Sequence, residues 1–355
     1  MHHWTWIVPV LSCAVLGVAL ALGAGPALLV ACAVGLIGSV LASVHHAEVV
    51  AHRVGEPLGT LVLAVAVTVI EASLILSMML ARGPDAPVLA RDTIFSAVMI
   101  ICNGVVGLCL LVGGIRHREQ SFRVEGAGAG LAALIALSGL TLVLPTFTTT
   151  TPSGTYSTSQ LEFASVASLA LWGAYVFVQT VRHRDYFLPV ADPANPEVHA
   201  APPSLGRTFA SLGLLLASLV AVVGLAKMLS PAIERGLSAA GAPKAVMGVA
   251  IALLVLLPET WAAVRAARAN RLQTSMNLAI GSVLASIGLT IPVVAFASIV
   301  LKLPLVLGLE PKDLVMLTMT FLVGTVTLGT GRTNVMQGAV HLVLFAAFLF
   351  LALVP

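Results

Sequence analysis

The chain has 355 residues, of which 59% are hydrophobic and 9% are charged. Soluble domains carry about 25% charged residues, so this composition excludes an ordinary globular protein. The formal net charge of +3 is small and is spread over several loops, so it indicates no nucleic-acid partner.

Apolar runs long enough to cross a bilayer recur along almost the whole chain, and they are separated by Gly, Pro, Arg or polar residues. The first run has no Lys or Arg before it, so we interpret it as a retained helix and not as a signal peptide. The sequence therefore predicts an all-α polytopic protein whose surroundings are the lipid bilayer. Eleven spans fit, at residues 4–22, 26–44, 57–80, 93–115, 127–145, 161–181, 208–229, 245–264, 275–301, 312–329 and 334–354.

The distribution of basic residues predicts how these spans are oriented. Every second loop lies on the side of the N-terminus, and those loops hold 11 of the 18 Lys and Arg residues. Cytoplasmic loops of membrane proteins carry an excess of Lys and Arg. We therefore expect the N-terminus in the cytoplasm and the C-terminus outside.

One acidic residue, Glu71, stands within the apolar stretch "LAVAVTVIEASLIL" of the third span. An ionisable side chain at this depth costs about 2.5 to 3.5 kcal/mol on insertion scales. One interpretation is that Glu71 binds a transported cation or carries protons. The other is a structural acid, either protonated or paired with a polar group of a neighbouring helix.

A second acid, Glu259, lies in the eighth span, directly after Pro258. The two glutamates are five spans apart, so their helices cross the membrane in opposite directions, as in the inverted repeats of secondary transporters. We therefore predict an N-terminal transmembrane helix (1–25), a first five-helix repeat (26–181), a cytoplasmic Pro-rich linker (182–207) and a second five-helix repeat (208–355). This symmetry would bring both carboxylates to the middle of the bilayer.

The span after each glutamate is unusually polar for its depth. Aligning "VVGLCLL" with "SIGLTIP" sets Ser96 opposite Asn277, and Asn103, Ser282 and Ser286 add further oxygen atoms. Two carboxylates with amide and hydroxyl oxygens suit a hard cation such as Ca²⁺, which takes about six to eight oxygen ligands. Each of these small polar residues could instead serve helix packing. The metal here is a transported ion, and we expect no resident cofactor.

Three segments resemble the cation/proton exchangers, the CAX branch of the calcium/cation antiporter superfamily. They are "HAEVVAHRVGEPLGTLVLAVAVTVIEASLI", "LLPETWAAVRAARANRLQTSMNLAIGSVLASIGLTIP" and "GRTNVMQGAVHLVLF". The likeness is greatest to the bacterial ChaA calcium(sodium)/proton antiporter group and covers roughly residues 45 to 354. It implies a bacterial inner-membrane antiporter with Glu71 and Glu259 as the repeat glutamates.

The resemblance also leaves the transported cation open. The family motif G-N-A-x-E reads "VTVIE" and "VLLPE", so the Asn before each glutamate is replaced by Thr68 and Leu256. We therefore expect exchange of Ca²⁺, with Na⁺ or K⁺ also carried, against protons. The alternatives are a monovalent-cation/proton antiporter with little Ca²⁺ activity and, less favoured, a cation channel. No enzymatic motif is found in the spans, and no sequence feature indicates an oligomeric state.

Two histidine-containing stretches allow further interpretations. In "HHAEVVAH", residues His45, Glu48 and His52 share one helical face. They could form a solvated helix end, a cytoplasmic access site for cations or protons, or a zinc site. His341 in the last span is either a hydrogen-bonded intramembrane residue or part of a proton relay.

Overall fold

The structure is a computed structural model, and it describes residues 4–23, 25–54, 58–80, 86–188, 203–239, 241, 243 and 245–354. In chain order its α-helices are α1 (Trp4–Leu22), α2 (Pro26–Val54), α3 (Leu58–Leu80), α4 (Leu89–Met99), α5 (Val106–His117), α6 (Val124–Ser138), α7 (Leu144–Phe147), α8 (Thr158–Phe177), α9 (Leu205–Ala239), α10 (Ala245–Arg268), α11 (Leu272–Ala285), α12 (Ile291–Leu301), α13 (Pro311–Leu328) and α14 (Val335–Leu353). The strands within these residues are two dipeptides, β1 (Gln120–Ser121) and β2 (Arg332–Thr333).

Several of these helices join into longer spans through π-helical turns. The first π-turn, Ile100–Val105, joins α4 to α5, and the second π-turn, Ser286–Thr290, joins α11 to α12. Two further π-helical segments are Gly139–Val143 and Val178–Arg182, and a 3₁₀ turn covers Arg184–Phe187.

Among the described residues, nine helices are long and apolar enough to cross a membrane, or ten if the two halves of bent α10 count as one span. Helix α3 adds a shorter apolar stretch, Thr68–Leu80. A polytopic helical membrane protein is therefore confirmed, and the number eleven stays a prediction. Several helices run beyond the predicted spans, and α2 extends to Val54 where we expected it to end near 44. Hydropathy marks the apolar stretch, whereas backbone hydrogen bonding continues the helix past it.

The chain divides into two compact units, 1–86 with 198–244, and 87–197 with 245–355. In the first unit α1, α2, α3 and α9 pack together. Glycines let these helices approach each other closely: a side chain at Gly38 would lie 2.9 Å from Val8, and Leu16 lies against Gly224. This division differs from the two predicted repeats, so the repeat boundaries stay a prediction.

The second unit contains the remaining helices, and its loops gather at two opposite ends. At one end β1 pairs with β2 in antiparallel register, and the Gln120 side chain donates to the Ala267 carbonyl at 2.9 Å. The Asn277 amide donates to the Phe187 carbonyl at 2.6 Å at this end. We call it the arginine-rich end because of its arginines, which are Arg116, Arg118, Arg123, Arg182, Arg184, Arg265, Arg268, Arg271 and Arg332.

At the opposite end, an extended segment connects α12 to α13. The amides of Leu307 and Gly308 donate to the Gly154 carbonyl at 2.9 Å, and the Val306 amide donates to Pro87 at 2.8 Å. The Thr-rich loop before α8 packs here, and the Tyr156 hydroxyl donates to the Leu140 carbonyl at 2.6 Å. Loops thus alternate between the two ends along this unit, as the predicted order of spans requires.

Candidate functional site

Glu71 is buried within the first unit. It lies in α3, its side chain is 2% exposed, and the neighbours Ile70 and Ala72 are also buried. Thr68 is one helical turn away on the same face and is 5% exposed. This confirms neither role proposed for Glu71, but it shows that the carboxyl group is withdrawn from solvent.

Glu259 is buried within the second unit, directly after a bend in α10. The segments Val246–Leu257 and Glu259–Arg268 meet at 54°. Proline causes such bends because it has no N–H to donate and its ring collides with the preceding turn. Glu259 is 8% exposed, so the second acidic residue is also withdrawn from solvent.

Helix α10 packs against the two most buried spans of the second unit. In Leu89–His117, 89% of an 18-residue apolar stretch is buried, and in Leu272–Leu301 the buried share of such a stretch is 67%. In the other continuous spans that the structure describes, the buried share is 50% or less. Leu89–His117 and Leu272–Leu301 each contain a π-turn at a similar position, and such turns are frequent at functional sites. The spans that the sequence singled out as unusually polar therefore form the interior of this unit.

Ser282 and Ser286 lie in the second of these buried spans. Ser286 is 2% exposed and begins the second π-turn. The Ser282 hydroxyl is buried and has no hydrogen-bond partner among the described residues. Helix α11, which carries Ser282, packs directly against α10. These two hydroxyls are therefore on the span that neighbours the Glu259 helix.

Asn103, in the first π-turn, is hydrogen bonded on both sides of its amide. Its Nδ2 donates to Thr320 Oγ1 at 2.8 Å, and its Oδ1 lies 3.3 Å from His341 Nδ1. His341 Nε2 lies 3.1 Å from Thr327 Oγ1. All four side chains are 2% exposed or less. Asn103 therefore belongs to a polar network between the first π-turn, α13 and α14.

The structure does not bring Ser96 and Asn277 together. Asn277 lies near the arginine-rich end, where it bonds the Phe187 carbonyl and accepts from Gln273 at 2.9 Å. Ser96 lies toward the opposite end, and its hydroxyl donates to the Asp92 carbonyl at 2.6 Å. Opposite ends are where an inverted repeat would put equivalent residues.

A charged cluster at the opposite end was not predicted from the sequence. Arg91 contacts Asp92 at 2.7 Å and Glu310 at 3.7 Å, and it donates to the Gly308 carbonyl at 3.2 Å. A cavity of about 20 Å³, lined by Asp92, Ser96 and Asp313 among others, has room for about one water molecule. Asp92 is more than 200 residues away in sequence from Glu310 and Asp313, so no local pattern reveals their proximity.

The predicted access site lies along the C-terminal part of α2. Glu48 and His52 are exposed, and His45 is half-buried with its ring 6.5 Å from that of Trp4. His46, which directly follows His45, is buried, and its Nε2 lies 2.8 Å from the Thr5 carbonyl. Within the described part of the chain, no three His, Cys, Asp or Glu side chains could hold a metal ion together.

Comparison with known proteins shows the family. The sodium/calcium exchanger protein family matches residues 24–181 and 210–354. The chain is 49% identical to y4hA of Sinorhizobium fredii over 99% of this chain and 96% of that protein. It is 37% identical to the sodium-potassium/proton antiporter ChaA of Escherichia coli over 89% of this chain and 86% of ChaA.

The fold is also that of solved exchangers. The structure of YfkE, a Ca²⁺/H⁺ antiporter, superimposes with a TM-score of 0.74 at 19% identity, covering 99% of this chain and 100% of YfkE. The family match spans most of the chain, including both buried glutamates. The chain therefore belongs to the sodium/calcium exchanger family of membrane cation exchangers.

Proposed function

We propose that this protein is a secondary antiporter that exchanges cations for protons through Glu71 and Glu259. The observation that carries the proposal is the burial of both carboxyl groups, 2% and 8% exposed, within apolar helices at matching places in the predicted repeats. A buried ionisable group in a membrane span is costly to maintain, and ion or proton transport is its usual reason.

The two glutamates would serve both substrates of the exchange. When deprotonated they bind the cation, and when protonated they release it and carry protons back. Two carboxyl groups that share one cation titrate as a coupled pair. Exchange follows if the helices rearrange readily only when the charge of the site is cancelled, by the cation or by protons.

Hydroxyl groups on the helix of Glu71 and on the span packed against the helix of Glu259 complete the proposed site. Thr68 accompanies Glu71 on α3, and Ser282 and Ser286 accompany Glu259 from the neighbouring span. A buried hydroxyl without a partner, as at Ser282, is satisfied when an ion binds. We leave Asn103 and Asn277 out of this ligand set because their amide oxygens already face His341 and Gln273. We leave out Ser96 because it bonds the Asp92 carbonyl toward the end opposite the arginine-rich end.

The proposed cations are Na⁺, K⁺ and Ca²⁺. ChaA, at 37% identity, is a sodium-potassium/proton antiporter, whereas YfkE is a Ca²⁺/H⁺ antiporter. Leu256, at the place of the second family Asn, is buried, and its side chain offers no oxygen. Ca²⁺ takes about six to eight oxygen ligands, a number that this set reaches only if both carboxylates bind through both oxygens, so a monovalent exchanger with little Ca²⁺ activity is the second candidate.

We further propose that the arginine-rich end faces the cytoplasm. Nine arginines lie there, against Arg91, Lys302 and Lys312 among the described residues at the opposite end. This orientation follows the excess of basic residues in cytoplasmic loops. With the eleven predicted spans, this orientation would put the N-terminus inside and the C-terminus outside.

The test uses everted membrane vesicles with an acid interior and a pH-sensitive dye. Na⁺, K⁺ and Ca²⁺ are added separately to wild type, Glu71→Gln, Glu259→Gln and the control Glu162→Gln, whose side chain is exposed on α8. We expect at least one cation to collapse the pH gradient in vesicles with wild type or the Glu162→Gln control. We expect no cation to do so with Glu71→Gln or Glu259→Gln. Exchange by Glu71→Gln or Glu259→Gln would refute the two-glutamate site, and cation flux without proton movement would indicate a channel.

A further inference from the structure

A groove between α13 and α14 opens onto the apolar surface of the second unit. It has a volume of about 290 Å³, and the residues that line it include Leu322, Val326, Thr327, Met336, Gln337 and Val340. The side chains of Leu322, Val326 and Met336 are 64% to 72% exposed. The exchange mechanism proposed above uses none of these residues.

The groove lies in a part of the chain that the bilayer surrounds. Both α13 and α14 are long and apolar enough to cross a membrane. The lining residues occupy the last two turns of α13 and the first two turns of α14, so the groove follows about 8 Å of each helix beside the arginine-rich end. Because the two helices are antiparallel neighbours, the groove runs along their axes, which is also the direction of lipid acyl chains.

The other face of α14 is already covered by protein. A Cβ atom at Gly338 would lie 2.5 Å from the Leu111 backbone nitrogen, and one at Gly107 would lie 2.9 Å from the His341 side chain. Met336 and Val340 are four residues apart and share the face of α14 that is turned away from α5. An occupant of the groove therefore comes from the bilayer side.

The mouth of the groove carries a cationic side chain. The Thr330 hydroxyl lies 3.0 Å from the Thr327 carbonyl and 2.7 Å from the Arg332 carbonyl, so the Arg332 backbone is held beside the groove wall. The Arg332 side chain is 75% exposed and contacts Glu119 at 3.8 Å. An exposed ion pair of this kind contributes little, so Arg332 can exchange Glu119 for another anion.

Gln337 adds hydrogen-bond donors between the mouth and the apolar part of the groove. Its Oε1 accepts from the Asn334 amide at 2.8 Å, and its NH₂ group has two hydrogen atoms to donate. Along the groove, a charged group is thus followed by a donor and then by apolar side chains. A phospholipid has the matching order of phosphate, ester oxygens and acyl chain.

We propose that this groove binds an anionic phospholipid, with an acyl chain between α13 and α14 and the phosphate group on Arg332. Arginine suits a phosphate group because its planar guanidinium donates two parallel hydrogen bonds to it. The occupant is a lipid because the surface around the groove is the exposed apolar surface of two membrane spans. The site goes beyond the exchange function and does not depend on it.

The headgroup charge decides which lipid is bound. An acyl chain that enters the groove leaves one apolar environment for another, so the hydrophobic effect adds no driving force. One arginine near the membrane surface favours an anionic headgroup about fivefold. We therefore expect the groove to select among lipids with the same acyl chains by their headgroups.

The test compares the lipids that stay bound to the full chain in detergent. The protein is mixed with equal amounts of phosphatidylglycerol, which is anionic, and phosphatidylcholine, which is zwitterionic, both with the same acyl chains. Native mass spectrometry then counts each retained lipid. The headgroup variants are Arg332→Gln and Glu119→Gln, and the groove variant is Val326→Phe.

Each kind of variant has a matched control. Arg182→Gln removes another exposed arginine of the arginine-rich end, in the π-helical segment after α8. Helix α8 packs on α6, α12 and the second π-turn, away from the groove. Val315→Phe puts the same ring on an exposed position of α13 near the opposite end of the helix.

We expect Arg332→Gln to lower the ratio of bound phosphatidylglycerol to phosphatidylcholine about fivefold. Glu119→Gln should raise this ratio, because it removes the anion that competes for Arg332, and Arg182→Gln should leave the ratio unchanged. Val326→Phe should lower the retention of both lipids, because its ring occupies the groove, and Val315→Phe should not.

Equal losses in Arg332→Gln and Arg182→Gln would overturn the proposal, because the lipid would then respond to the total charge of this end. Unchanged retention in Val326→Phe would do the same, and a simultaneous change of oligomeric mass would assign the groove to a second copy of the chain. Release of phosphatidylglycerol by an equal concentration of inorganic phosphate would indicate a phosphate site without a lipid. If Arg332→Gln fails to fold, Glu119→Gln tests the same contact from its other side.

Discussion

Gln120 and Thr333 face each other across the two-residue ladder that pairs β1 with β2. The pair joins two loops more than 200 residues apart, one after α5 and one before α14. It is continued by the Phe122 amide, which donates to the Gly331 carbonyl at 3.0 Å. Because both loops lie at the same end, an even number of membrane crossings must separate them.

This relationship predicts which loops an impermeant thiol reagent reaches. Ser121→Cys, at the arginine-rich end, should react only from the cytoplasmic face, and Ser153→Cys, in the Thr-rich loop, only from the outside. Both side chains are exposed. The measurement is maleimide labelling of intact cells and everted vesicles. The native cysteines lie within apolar spans, so the unmodified chain serves as the blank. Labelling of both variants from one face would contradict the alternation of loops.

The apolar spans could be predicted because insertion cost is local in sequence. Each stretch of about 20 apolar residues is visible without knowing its neighbours. Glu71 and Glu259 stood out for the same reason, as single acids in such stretches. Helix ends were predicted less well, and α2 continues through His52 to Val54 because hydrogen bonding within the helix does not depend on hydropathy.

Other features of the site could not be predicted, since they depend on contacts between distant segments. Asn103 and His341 are 238 positions apart, and nothing near either residue identifies the other as a partner. The π-turns have no local sequence signature that we recognised. Ser96 and Asn277 were paired by alignment, but equivalent positions in an inverted repeat need not be neighbours in space.

The bend at Pro258 predicts that exchange depends on the shape of α10. Pro258→Ala restores the missing N–H and should let the helix straighten, which moves Glu259 relative to the spans it packs against. A misplacement of about 1 Å costs on the order of a hundredfold in enzymes, so we expect at least a tenfold slower exchange with normal insertion. Vesicle dye assays measure this, with Pro231→Ala in α9 as the control. Unchanged exchange in Pro258→Ala would show that the bend is incidental.

The packing of α5 against α14 predicts a marked difference between two glycine substitutions. A Cβ atom at Gly338 would lie 2.5 Å from the Leu111 backbone nitrogen, whereas one at Gly128 meets nothing within 4 Å. Gly338→Ala should therefore cost about 1–3 kcal/mol through overpacking, and Gly128→Ala should be neutral or slightly stabilising. Thermal unfolding in detergent should give a Tm several degrees lower for Gly338→Ala alone. Equal Tm values would mean that α14 shifts freely to make room.

Tyr156 ties the Thr-rich loop to the π-helical segment Gly139–Val143, where its hydroxyl donates to the Leu140 carbonyl. Tyr156→Phe should remove about 1 kcal/mol of stability at neutral pH, as is usual for one hydrogen bond. Burial raises the pKa of the Tyr156 phenol above its ordinary value of 10.0. The unfolded chain therefore loses this proton first as the pH rises, and the contribution of the folded phenol is lost as pH passes through its raised pKa.

The Tm advantage of wild type over Tyr156→Phe should accordingly be constant up to about pH 10 and shrink above it. The substitution keeps the ring and removes only the ionisable group, so the difference between the two proteins reports this hydroxyl alone. Thermal unfolding in detergent at a series of alkaline pH values measures it. An advantage that grows above pH 10 would contradict the assigned bond, because it would mean that the folded loop stabilises the phenolate.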